Sequence, residues 1–554
     1  MRQYINKCFN ILNSQGIGLL LRRMHAHLKR RLADKKYVSR VILPSIEEMK
    51  GQSSHITEDG VLFSIIVPIY NTPVAYLRDM IRSCCEQTYG QWELCIVDGS
   101  DSIYEFLESF LKKAMASEPR IRYKRLNQNR GIAENTNIAF EMAKGDYFVL
   151  LDHDDMLHPA ALYEYAKAIK KWGADFIYCD EAVFKEEISN VLAFHFKPDF
   201  SPDSLRGNNY ICHLIAFSRG LYNITGGMRK EYDGAQDYDM VFRLTEQAKR
   251  IMHIPRVLYF WRSHSQSVAE SIDAKRYAVI AGKRAVESHM ERCALSGEVI
   301  SSQVSPTIYK VRYDLLTNAL ISIVVWKQGV RGGSDKCLDF LKNKLVYSDY
   351  EIIIADVTWN ISQAVKDCRG EYILFLDDDL EIISSDILEQ MLMFAQRDDV
   401  GCVGAKIYNQ KEMVYHGGIV FDRNKLRYGN FHYGYPQDDM GYMGRLLYAQ
   451  NFSAVSEKCM MISRENLERA GGNTEGCGIE NYGLSLCAKL RQMDKLVVWT
   501  PDAEVICRNR SRVWHKGKRL LEMQGNQMIW GDDPYFNCNL ECVSGAIIAR
   551  CRQR

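Results

Sequence analysis

Two aspartates placed two residues apart, Asp152 and Asp154, carry the clearest chemical signal in the sequence. They follow an apolar run, Tyr147–Asp152, that has the length and composition of a buried strand. In open α/β sheets, ligands bind beyond the carboxyl ends of the strands. Two carboxylates at such an end can share a hard divalent cation, which in turn holds a diphosphate. On its own the pair is weak evidence, because acid-rich turns after strands are common.

Other polar residues strengthen this interpretation, because they stand where the same architecture needs them. Asp98 ends a second apolar run, Glu93–Asp98. Arginine can pair with phosphate through two parallel hydrogen bonds, and a carboxylate can accept the proton of an attacking hydroxyl. The remaining candidates are Arg130 and Asn137, Asp237 and Asp239, and Arg262 and His264.

The elements that must position these residues occur twice along the chain. Three apolar runs of strand length, separated by helical patterns, occur in the first half and again, in the same order, in the second. They are Phe63–Tyr70, Glu93–Asp98 and Tyr147–Asp152, and then Leu320–Trp326, Glu351–Asp356 and Tyr372–Asp377. Strands that alternate with helices predict parallel strands with crossover helices, so both halves are expected to be α/β.

The second copy is shorter at one place. The first two runs are 34 residues apart in both copies, measured from Ser64 to Asp98 and from Ser322 to Asp356. From there to the acidic motif the distance is 54 residues in the first copy and 21 in the second. The 33 missing residues correspond to a predicted helix near Ser102–Ser117, a strand at Ile121–Leu126 and the polar loop after it.

Composition bounds the class of protein. A chain of 554 residues predicts two to four domains. A net charge of +2 argues against a nucleic-acid binder, and no run approaches the roughly 18 apolar residues of a membrane-spanning helix. The 17 cysteines are scattered without a C-x-x-C pair, so we expect reduced packing cysteines of a cytoplasmic protein.

The neutral total conceals a basic N-terminal arm. Residues 1–50 carry 11 Lys and Arg and 3 acids, a net +8 against −6 for the other 504 residues. Apolar residues recur there at helical spacing, which predicts an amphipathic basic helix. Such a helix could contact an anionic membrane peripherally or lie solvated on the first domain. The expected divisions are an arm at 1–60, a domain at 61–300, a second domain at 318–515 and a tail at 516–554.

A family resemblance covers residues 63–290 and follows from segments that occur in order. The segments of the first part are IVPIYNT (66–72), VDGSD (97–101), NRGIAENTN (129–137) and LLDHDDMLHP (150–159). Those of the second part are FKPDFSPDSLRGNNYICHL (196–214), GGMRKEYDGAQDYDMVFRL (226–244) and HIPRVLYFWRSHSQSVA (253–269). They resemble the nucleotide-sugar half and the acceptor half of a family 2 glycosyltransferase. The resemblance implies two tandem GT-A (Rossmann-like) domains, the second abridged, after a basic helical arm.

The resemblance also implies roles for single residues. Tyr70 takes the position that stacks on the base, and Asp98 the position that reads the pyrimidine N–H. Asp152 and Asp154 take the positions of the D-x-D motif that holds Mg²⁺ or Mn²⁺, with Asp154 as the direct ligand. His264 takes the position of the histidine that closes the metal–diphosphate site.

The catalytic base implied by the resemblance is Asp237. Inversion at the sugar needs a carboxylate beside the acceptor hydroxyl, opposite the departing diphosphate. Asp239 is expected to tie the helix that presents Asp237, and it is the second choice for the base. The remaining implied nucleotide-sugar-binding residues are Pro68, Arg130, Asn137, Asp180, Glu181 and Arg262.

The second half resembles the second domain of bacterial cell-surface polysaccharide and O-antigen (rhamnan-type) glycosyltransferases. The resemblance runs through RGEYILFLDDD (369–379), VYHGGIVF (414–421) and NFSAVSEKCMMISRENLERAGG (451–472). The family's acceptor-side acids align with Gly483 and Ser485, and its late histidine with Cys507. Glu480 is the one nearby carboxylate that could replace the lost base. These losses favour a structural or acceptor-positioning domain.

The sequence therefore predicts an inverting, metal-dependent transferase that moves a sugar from a nucleoside-diphosphate sugar to a glycan, in particular a lipid-linked one. It would lie in the cytoplasm, with a peripheral contact to the inner face of the membrane through the arm. Two alternatives stay open: a bifunctional enzyme with both domains active, and a non-catalytic sugar-binding scaffold. A dinucleotide oxidoreductase is disfavoured because no strand is followed by G-x-G-x-x-G.

Overall fold

The computed structural model of the chain forms two compact units. The first unit is built mainly from Leu32–Phe200 and Asn209–Leu295, and the second mainly from Ser201–Asn208 and Ser296–Ile548. The residues described are 17–41, 46–54, 60–264, 272–327, 333–356, 359–422, 427–471, 482–508, 514–516, 533–543 and 546–550.

Helices and strands alternate over the first three hundred residues. The strands are β1 (Phe63–Ile69), β2 (Trp92–Asp98), β3 (Ile121–Arg125), β4 (Tyr147–Leu150), β5 (Met156–Leu157), β6 (Phe176–Lys185), β7 (Glu187–His195), β8 (Ile215–Ser218) and β9 (Ile251–Arg262). The helices are α1 (Ile17–Val41), α2 (Ile46–Ser54), α3 (Val74–Cys85), α4 (Phe106–Ser117), α5 (Ile132–Met142), α6 (Ala161–Trp172), α7 (Pro202–Gly207), α8 (Arg219–Thr225), α9 (Gln236–Gln247) and α10 (Ile272–Arg292). Of these, α7 and residues 17–31 of α1 group with the second unit.

The first unit has a mixed nine-stranded sheet in the order β3-β2-β1-β4-β8-β6-β9-β5, with β7 paired to β6. Strands β1 to β4 run parallel to their neighbours on that side, and β8 runs antiparallel to both β4 and β6. The central strands are buried because they consist of apolar residues, and α3 covers one face with residues at helical spacing (Leu77, Met80, Ile81 and Cys84).

The second unit repeats this plan. Its strands are β10 (Gly297–Ser301), β11 (Tyr309–Tyr313), β12 (Ile321–Lys327), β13 (Tyr350–Asp356), β14 (Tyr372–Asp377), β15 (Leu380–Ile382), β16 (Val400–Asn409), β17 (Val414–His416), β18 (Ile419–Asp422), β19 (Arg427–Asn430), β20 (Gln450–Asn451), β21 (Cys459–Ser463), β22 (Leu496–Cys507), β23 (Trp514–Lys516), β24 (Leu540–Val543) and β25 (Ala546–Ala549). Its helices are α11 (Gly333–Asn343), α12 (Ile361–Ala364), α13 (Ile387–Ala395), α14 (Arg464–Arg469) and α15 (Tyr482–Gln492). The main sheet has the order β13-β12-β14-β21-β16-β22-β15.

The duplication extends to single hydrogen bonds. The hydroxyl of Ser64 donates to Glu93 (2.7 Å) and accepts from the backbone N–H of Gly145 (2.8 Å). A Cβ at Gly145 would lie 2.5 Å from that hydroxyl, so only glycine fits there. The second unit makes the same contacts, at 2.7 and 2.8 Å, with Ser322, Glu351 and Gly370. The prediction of tandem α/β units is therefore confirmed at atomic detail.

The predicted shortening of the second copy is confirmed as well. In the first unit, β2 lies between β1 and β3 and is buried along its whole length. Its counterpart β13 ends the second sheet, with β12 as its partner among the described strands. Ile354 on β13 is 42% exposed, because the strand and helix that cover the equivalent surface of the first unit are missing from this copy.

Helix α1 is amphipathic, but its apolar stripe lies in solvent. Leu21, Met24, Leu28 and Leu32 lie on one face, and each is between 57 and 61% exposed. The helix carries eight Lys and Arg against one acid. Among the helices whose residues the structure describes, none is both long and apolar enough to cross a membrane.

Helix α7 is held in the second unit by a buried carboxylate. Asp203 accepts from the Arg397 guanidinium at 2.5 Å and from the amide of Asn451 at 2.7 Å. Burial alone would raise the pKa of Asp203, but Arg397 and then Arg206 outweigh burial and lower the pKa to about 2. The folded state therefore binds this proton more weakly than the unfolded chain does.

This shift predicts acid sensitivity of the second unit. The contribution of Asp203 to stability is fully present above about pH 4 and is lost as the pH falls toward 2, and it amounts to about 2 kcal/mol at neutral pH. Asp203→Asn should lower protection of the β16 amides from hydrogen exchange at pH 7 and flatten their pH dependence below 4. Asp367→Asn, an exposed carboxyl in the same unit, should change neither. Equal protection in both variants would contradict the assignment.

Candidate active site

The acidic turn after β4 is hydrogen-bonded to the end of β9. The carboxylate of Asp155 is buried and accepts from the hydroxyl of Tyr259 and from the backbone N–H of Arg262 at 2.7 Å. This anchor brings Asp154 beside His264, with 2.6 Å between the carboxylate oxygen and Nε2. Two of the sequence-predicted metal ligands therefore meet at the sheet edge, although they are 110 residues apart in sequence.

Arg262 stabilises this turn through hydrogen bonds. Its guanidinium donates to the backbone carbonyl of Asp154 (2.7 Å) and to the carboxylate of Asp79 (3.0 Å). It also lies over the rings of Tyr76 and Phe184, at 4.7 Å from each centroid. Since the side chain is only 4% exposed and its nitrogens have protein acceptors, Arg262 acts here as a positioning residue for the acidic turn.

Asp152 lies beside His213. Half of its side chain is accessible (49%), and its carboxylate lies 3.4 Å from Nε2 of His213. Partial burial raises the pKa of Asp152, His213 opposes this shift, and the negative charges of Asp154 and Asp237 add to it. The charge of Asp237 thus acts on the first of the D-x-D aspartates.

The concentration of negative charge in the cleft fits a divalent cation. Burial raises the pKa of Asp155 well above its usual value, and Asp154 and Asp152 raise it further. The donor set of carboxylate oxygens with one imidazole nitrogen suits Mg²⁺ or Mn²⁺. Asp154, Asp152 and His264 are therefore chemically suited to hold such an ion.

A second group of possible ligands lies elsewhere in the first unit. The ligand atoms of Glu246 on α9, His289 on α10 and Cys293 just after α10 lie within 4.8 Å of one another. Both oxygens of Glu246 also accept from Arg292, at 2.6 and 2.8 Å, and His289 lies 2.6 Å from one of them. These contacts join the two helices through an ion pair, so we assign the group a structural role.

The predicted base stands at the start of a helix. Asp237 is the second residue of α9, and its carboxylate accepts from the amide of Asn209 at 3.0 Å. Asp239 is fully buried, where it pairs with Arg229 and, at 3.0 Å, with Arg243. Asp239 thus holds the helix in place. Asp237, in the first turn of this helix, is half-buried.

The predicted base-binding residues lie at the carboxyl ends of β1 and β2. Pro68 pairs with Val97, and Tyr70 is 44% exposed just beyond the strand. Asp98 is fully buried: it accepts from the backbone N–H of Ser100 (2.8 Å) and from two further donors. Those donors are the hydroxyl of Tyr123 at 2.9 Å and the guanidinium of Arg125 at 2.5 Å.

Asp101 is a residue of this region that sequence reasoning did not single out. Its exposed carboxylate accepts from the hydroxyl of Tyr70 (3.1 Å) and from the amide of Asn71 (2.7 Å). It thereby orients the tyrosine ring at the mouth of the cleft. The VDGSD segment contained this residue, but spacing alone did not distinguish it from Asp98.

The predicted residues just before and within α5, Arg130 and Asn137, differ in whether they have protein partners. Arg130 is exposed just before the helix and, within the described part of the chain, no ion pair engages it. Asn137 uses both its amide groups on the backbone of Met228, at 2.8 Å each, so it joins α5 to the loop before α9.

Asp180 and Glu181 lie within a buried charge network. Asp180 accepts from the backbone N–H of Lys197 (2.8 Å) and lies 3.0 Å from Nε2 of His253. Glu181 pairs with the ammonium of Lys197 (3.1 Å) and with His195 (2.6 Å). Burial alone would raise the pKa of Glu181, but Lys197 and the histidines hold it well below its usual value. Both carboxylates are thus buried and paired with protein groups.

The acidic turn of the second unit has a different environment. Lys458 places its ammonium 2.6 Å from the carboxylate of Asp377 and 3.4 Å from that of Asp379, to which Cys507 also donates at 3.5 Å. Burial alone would lower the pKa of Lys458, but the two carboxylates outweigh it and raise the pKa. Gly483 and Ser485 lie in α15, and Glu480 falls outside the described residues.

Comparison with known proteins agrees with this internal repeat. The family model "Glycosyl transferase family 2" matches residues 64–209 and again residues 356–471. An uncharacterized protein of Sinorhizobium fredii, y4gI, is 34% identical over 81% of this chain and 53% of its own length. The O-antigen biosynthesis protein RfbC of Myxococcus xanthus is 28% identical over 80% of this chain and 37% of its own length.

This chain thus spans about half the length of these relatives or less. Among solved structures, residues 1–349 of S. aureus TarS match 42% of this chain and 71% of their own, with 18% identity and a TM-score of 0.31. That likeness is too distant to support an argument. The matches to the family model fall on both sheets, one on each copy of the repeat. The chain is thus similar to glycosyl transferase family 2 at two places, one in each copy of the repeat.

Proposed function

We propose that the first unit is an inverting, metal-dependent glycosyltransferase that uses a nucleoside-diphosphate sugar. The observation that carries this proposal is the contact of Asp154 with His264 beyond the carboxyl ends of β4 and β9, with Asp152 beside His213 and Asp237 in the first turn of α9. The two matches to the family 2 model and the likeness to an O-antigen biosynthesis protein support a role in making a surface glycan.

The proposed reaction is a single displacement. The acceptor hydroxyl attacks the anomeric carbon as the bond from that carbon to the diphosphate oxygen breaks, through an oxocarbenium-like state. Asp237 takes the hydroxyl proton, and its place at the first turn of α9, held by Asp239, keeps the carboxylate oriented. A bound Mg²⁺ or Mn²⁺ stabilises charge on the leaving diphosphate. Asp154, Asp152 and His264 would hold that ion.

The donor is proposed to lie along the ends of β1, β2 and β4. Tyr70 offers an exposed ring for the base, oriented by Asp101. Arg130 offers an exposed guanidinium for phosphate. Asp98, Asn137, Asp180, Glu181 and Arg262 are all engaged by protein partners, so in this proposal they shape and brace the donor site.

Transfer and donor hydrolysis, measured over a panel of UDP-, GDP- and dTDP-sugars with Mg²⁺, Mn²⁺ or a chelator, test this function. We expect turnover of at least one donor that stops with the chelator and returns with the metal. Turnover that persists unchanged with the chelator would contradict metal dependence. Retention of the anomeric configuration in the product would contradict inversion.

We propose that the second unit has a structural or acceptor-positioning role. At its acidic turn, Lys458 forms an ion pair with Asp377. The positions of the family's acceptor-side acids are Gly483 and Ser485. A bifunctional enzyme would need a base and an open acidic site in this unit. Asp378→Asn should therefore leave the transfer rate unchanged, and a loss of all or part of the activity with the fold intact would contradict this role.

We further propose that α1 contacts an anionic membrane, where a lipid-linked acceptor would lie. Its exposed stripe of Leu21, Met24, Leu28 and Leu32 can enter the headgroup region, while Lys29 and Lys36 lie exposed on one side of the stripe. Each basic residue near such a surface adds about 1 kcal/mol to binding.

Co-sedimentation of the full chain with vesicles tests the membrane contact. We expect binding to vesicles that contain phosphatidylglycerol, weaker binding in high salt, and little binding to pure phosphatidylcholine. The double variant Leu28→Ser and Leu32→Ser, which makes half of the stripe polar, should lower binding at least tenfold. The matched variant Ile103→Ser, an exposed apolar residue elsewhere (78%), should bind like the wild type. Binding that is indifferent to lipid charge and to salt would contradict the proposal.

A further inference from the structure

The second unit has a lysine at the position where the first unit has a histidine beside its acidic motif. In the first sheet Tyr147 on β4 pairs with Ser218 on β8, and in the second Tyr372 on β14 pairs with Ser463 on β21. Counting five residues on from each tyrosine reaches Asp152 and Asp377. Counting five residues back from each serine reaches His213 and Lys458. Continued past their last paired residues, the two sheet registers put these pairs at equivalent positions.

The same comparison shows a change in accessibility. In the first unit the Asp152 side chain is 49% exposed and the Asp154 side chain 18%. In the second unit the Asp377 side chain is 7% exposed and the Asp379 side chain 1%. The first pair of carboxylates is partly accessible to solvent, whereas the second pair is buried and paired with the Lys458 ammonium.

Two carboxylates closed off from water need a cation nearby, since an unpaired buried charge costs several kcal/mol. An ammonium supplies that charge from within the chain and donates up to three hydrogen bonds. The contact of Lys458 with both Asp377 and Asp379, at 2.6 and 3.4 Å, has this form. A divalent cation bound to the same carboxylates would meet the ammonium at close range and be repelled.

We infer that Lys458 is a built-in substitute for a divalent cation, so that the acidic turn of the second unit is a latent metal site held permanently in a metal-free form. The inference adds a cause to the proposed non-catalytic role of this unit. It also makes a prediction that does not depend on activity: removal of the lysine should create a metal site.

Mn²⁺ binding to the full chain, followed by the loss of the free-ion electron paramagnetic resonance signal, tests this inference. All comparisons use an Asp154→Asn background, in which the proposed metal site of the first unit is disabled. There we expect that Lys458→Met adds one Mn²⁺ per chain, and that the further change Asp377→Asn removes it again. The control Lys411→Met, at an exposed lysine of the same unit, should add none.

Two outcomes would overturn the inference. The first is a Mn²⁺ that the Asp154→Asn chain binds with Lys458 intact and loses with Asp377→Asn. The second is a folded Lys458→Met chain that gains no Mn²⁺. Lys458→His, which restores the residue type of the first unit, serves if Lys458→Met does not fold, and its melting temperature should then rise with Mn²⁺. Failure of the proposed first-unit site appears separately, as equal Mn²⁺ binding by the wild type and by Asp154→Asn.

Discussion

Replacement of Asp237 by asparagine is expected to lower the rate of sugar transfer by about 10²–10⁴-fold, the usual contribution of a general base. The side chain stays the same size, and the amide oxygen can still accept the hydrogen bond from Asn209. Asp239, which holds α9 through Arg229 and Arg243, is untouched. The loss should therefore fall on kcat, with little change in the KM for the donor.

The matched control for this variant is Glu231→Gln, an exposed carboxyl six residues earlier. It removes the same charge from the same region and should retain the wild-type rate. The second candidate base predicts a different pattern: Asp239→Asn would break a buried ion pair, and its loss of activity would accompany loss of the fold of α9. An Asp237→Asn enzyme with more than half of the wild-type kcat would contradict the assignment of the base.

Much of the fold could be predicted from the sequence because the strands are short apolar runs with sharp polar ends. The predicted run Tyr372–Asp377 is β14 to the residue, and Glu93–Asp98 differs from β2 by a single residue. The equal spacing of the first two strands identified the repeat, and the 33 missing residues identified the uncovered strand β13. These signals are local, so a single sequence carries them.

The arrangement of the site was harder to predict, because it depends on which polar side chains find partners inside the protein. The sequence placed Arg262 and Asp180 among donor-binding residues, but whether a guanidinium or a carboxylate remains available follows from long-range contacts such as Arg262 with Asp79. The ion pair of Lys458 with Asp377 joins residues 81 apart in sequence. Nothing in the local pattern around Lys458 distinguishes it from a surface lysine.

Replacement of Asp154 by asparagine is expected to lower the transfer rate by about 10³-fold or more, because a bound metal supplies several kcal/mol of charge stabilisation to the leaving diphosphate. Asparagine keeps a carbonyl oxygen near His264 but not the charge that attracts the ion. The residual rate should no longer respond to added Mn²⁺ over a range that saturates the wild type. Rate against Mn²⁺ concentration at fixed donor measures both effects.

The comparison with Glu187→Gln separates metal binding from a general loss of charge, since Glu187 is an exposed carboxyl of the same unit. That variant should keep the wild-type rate and the wild-type dependence on Mn²⁺. His264→Gln should shift the Mn²⁺ response to higher concentration with a smaller loss of kcat, because Asp154 remains to hold the ion. If Asp154→Asn and Glu187→Gln gave the same Mn²⁺ curve, the ion would have to be held elsewhere, and the contact between Asp154 and His264 would be a structural hydrogen bond only.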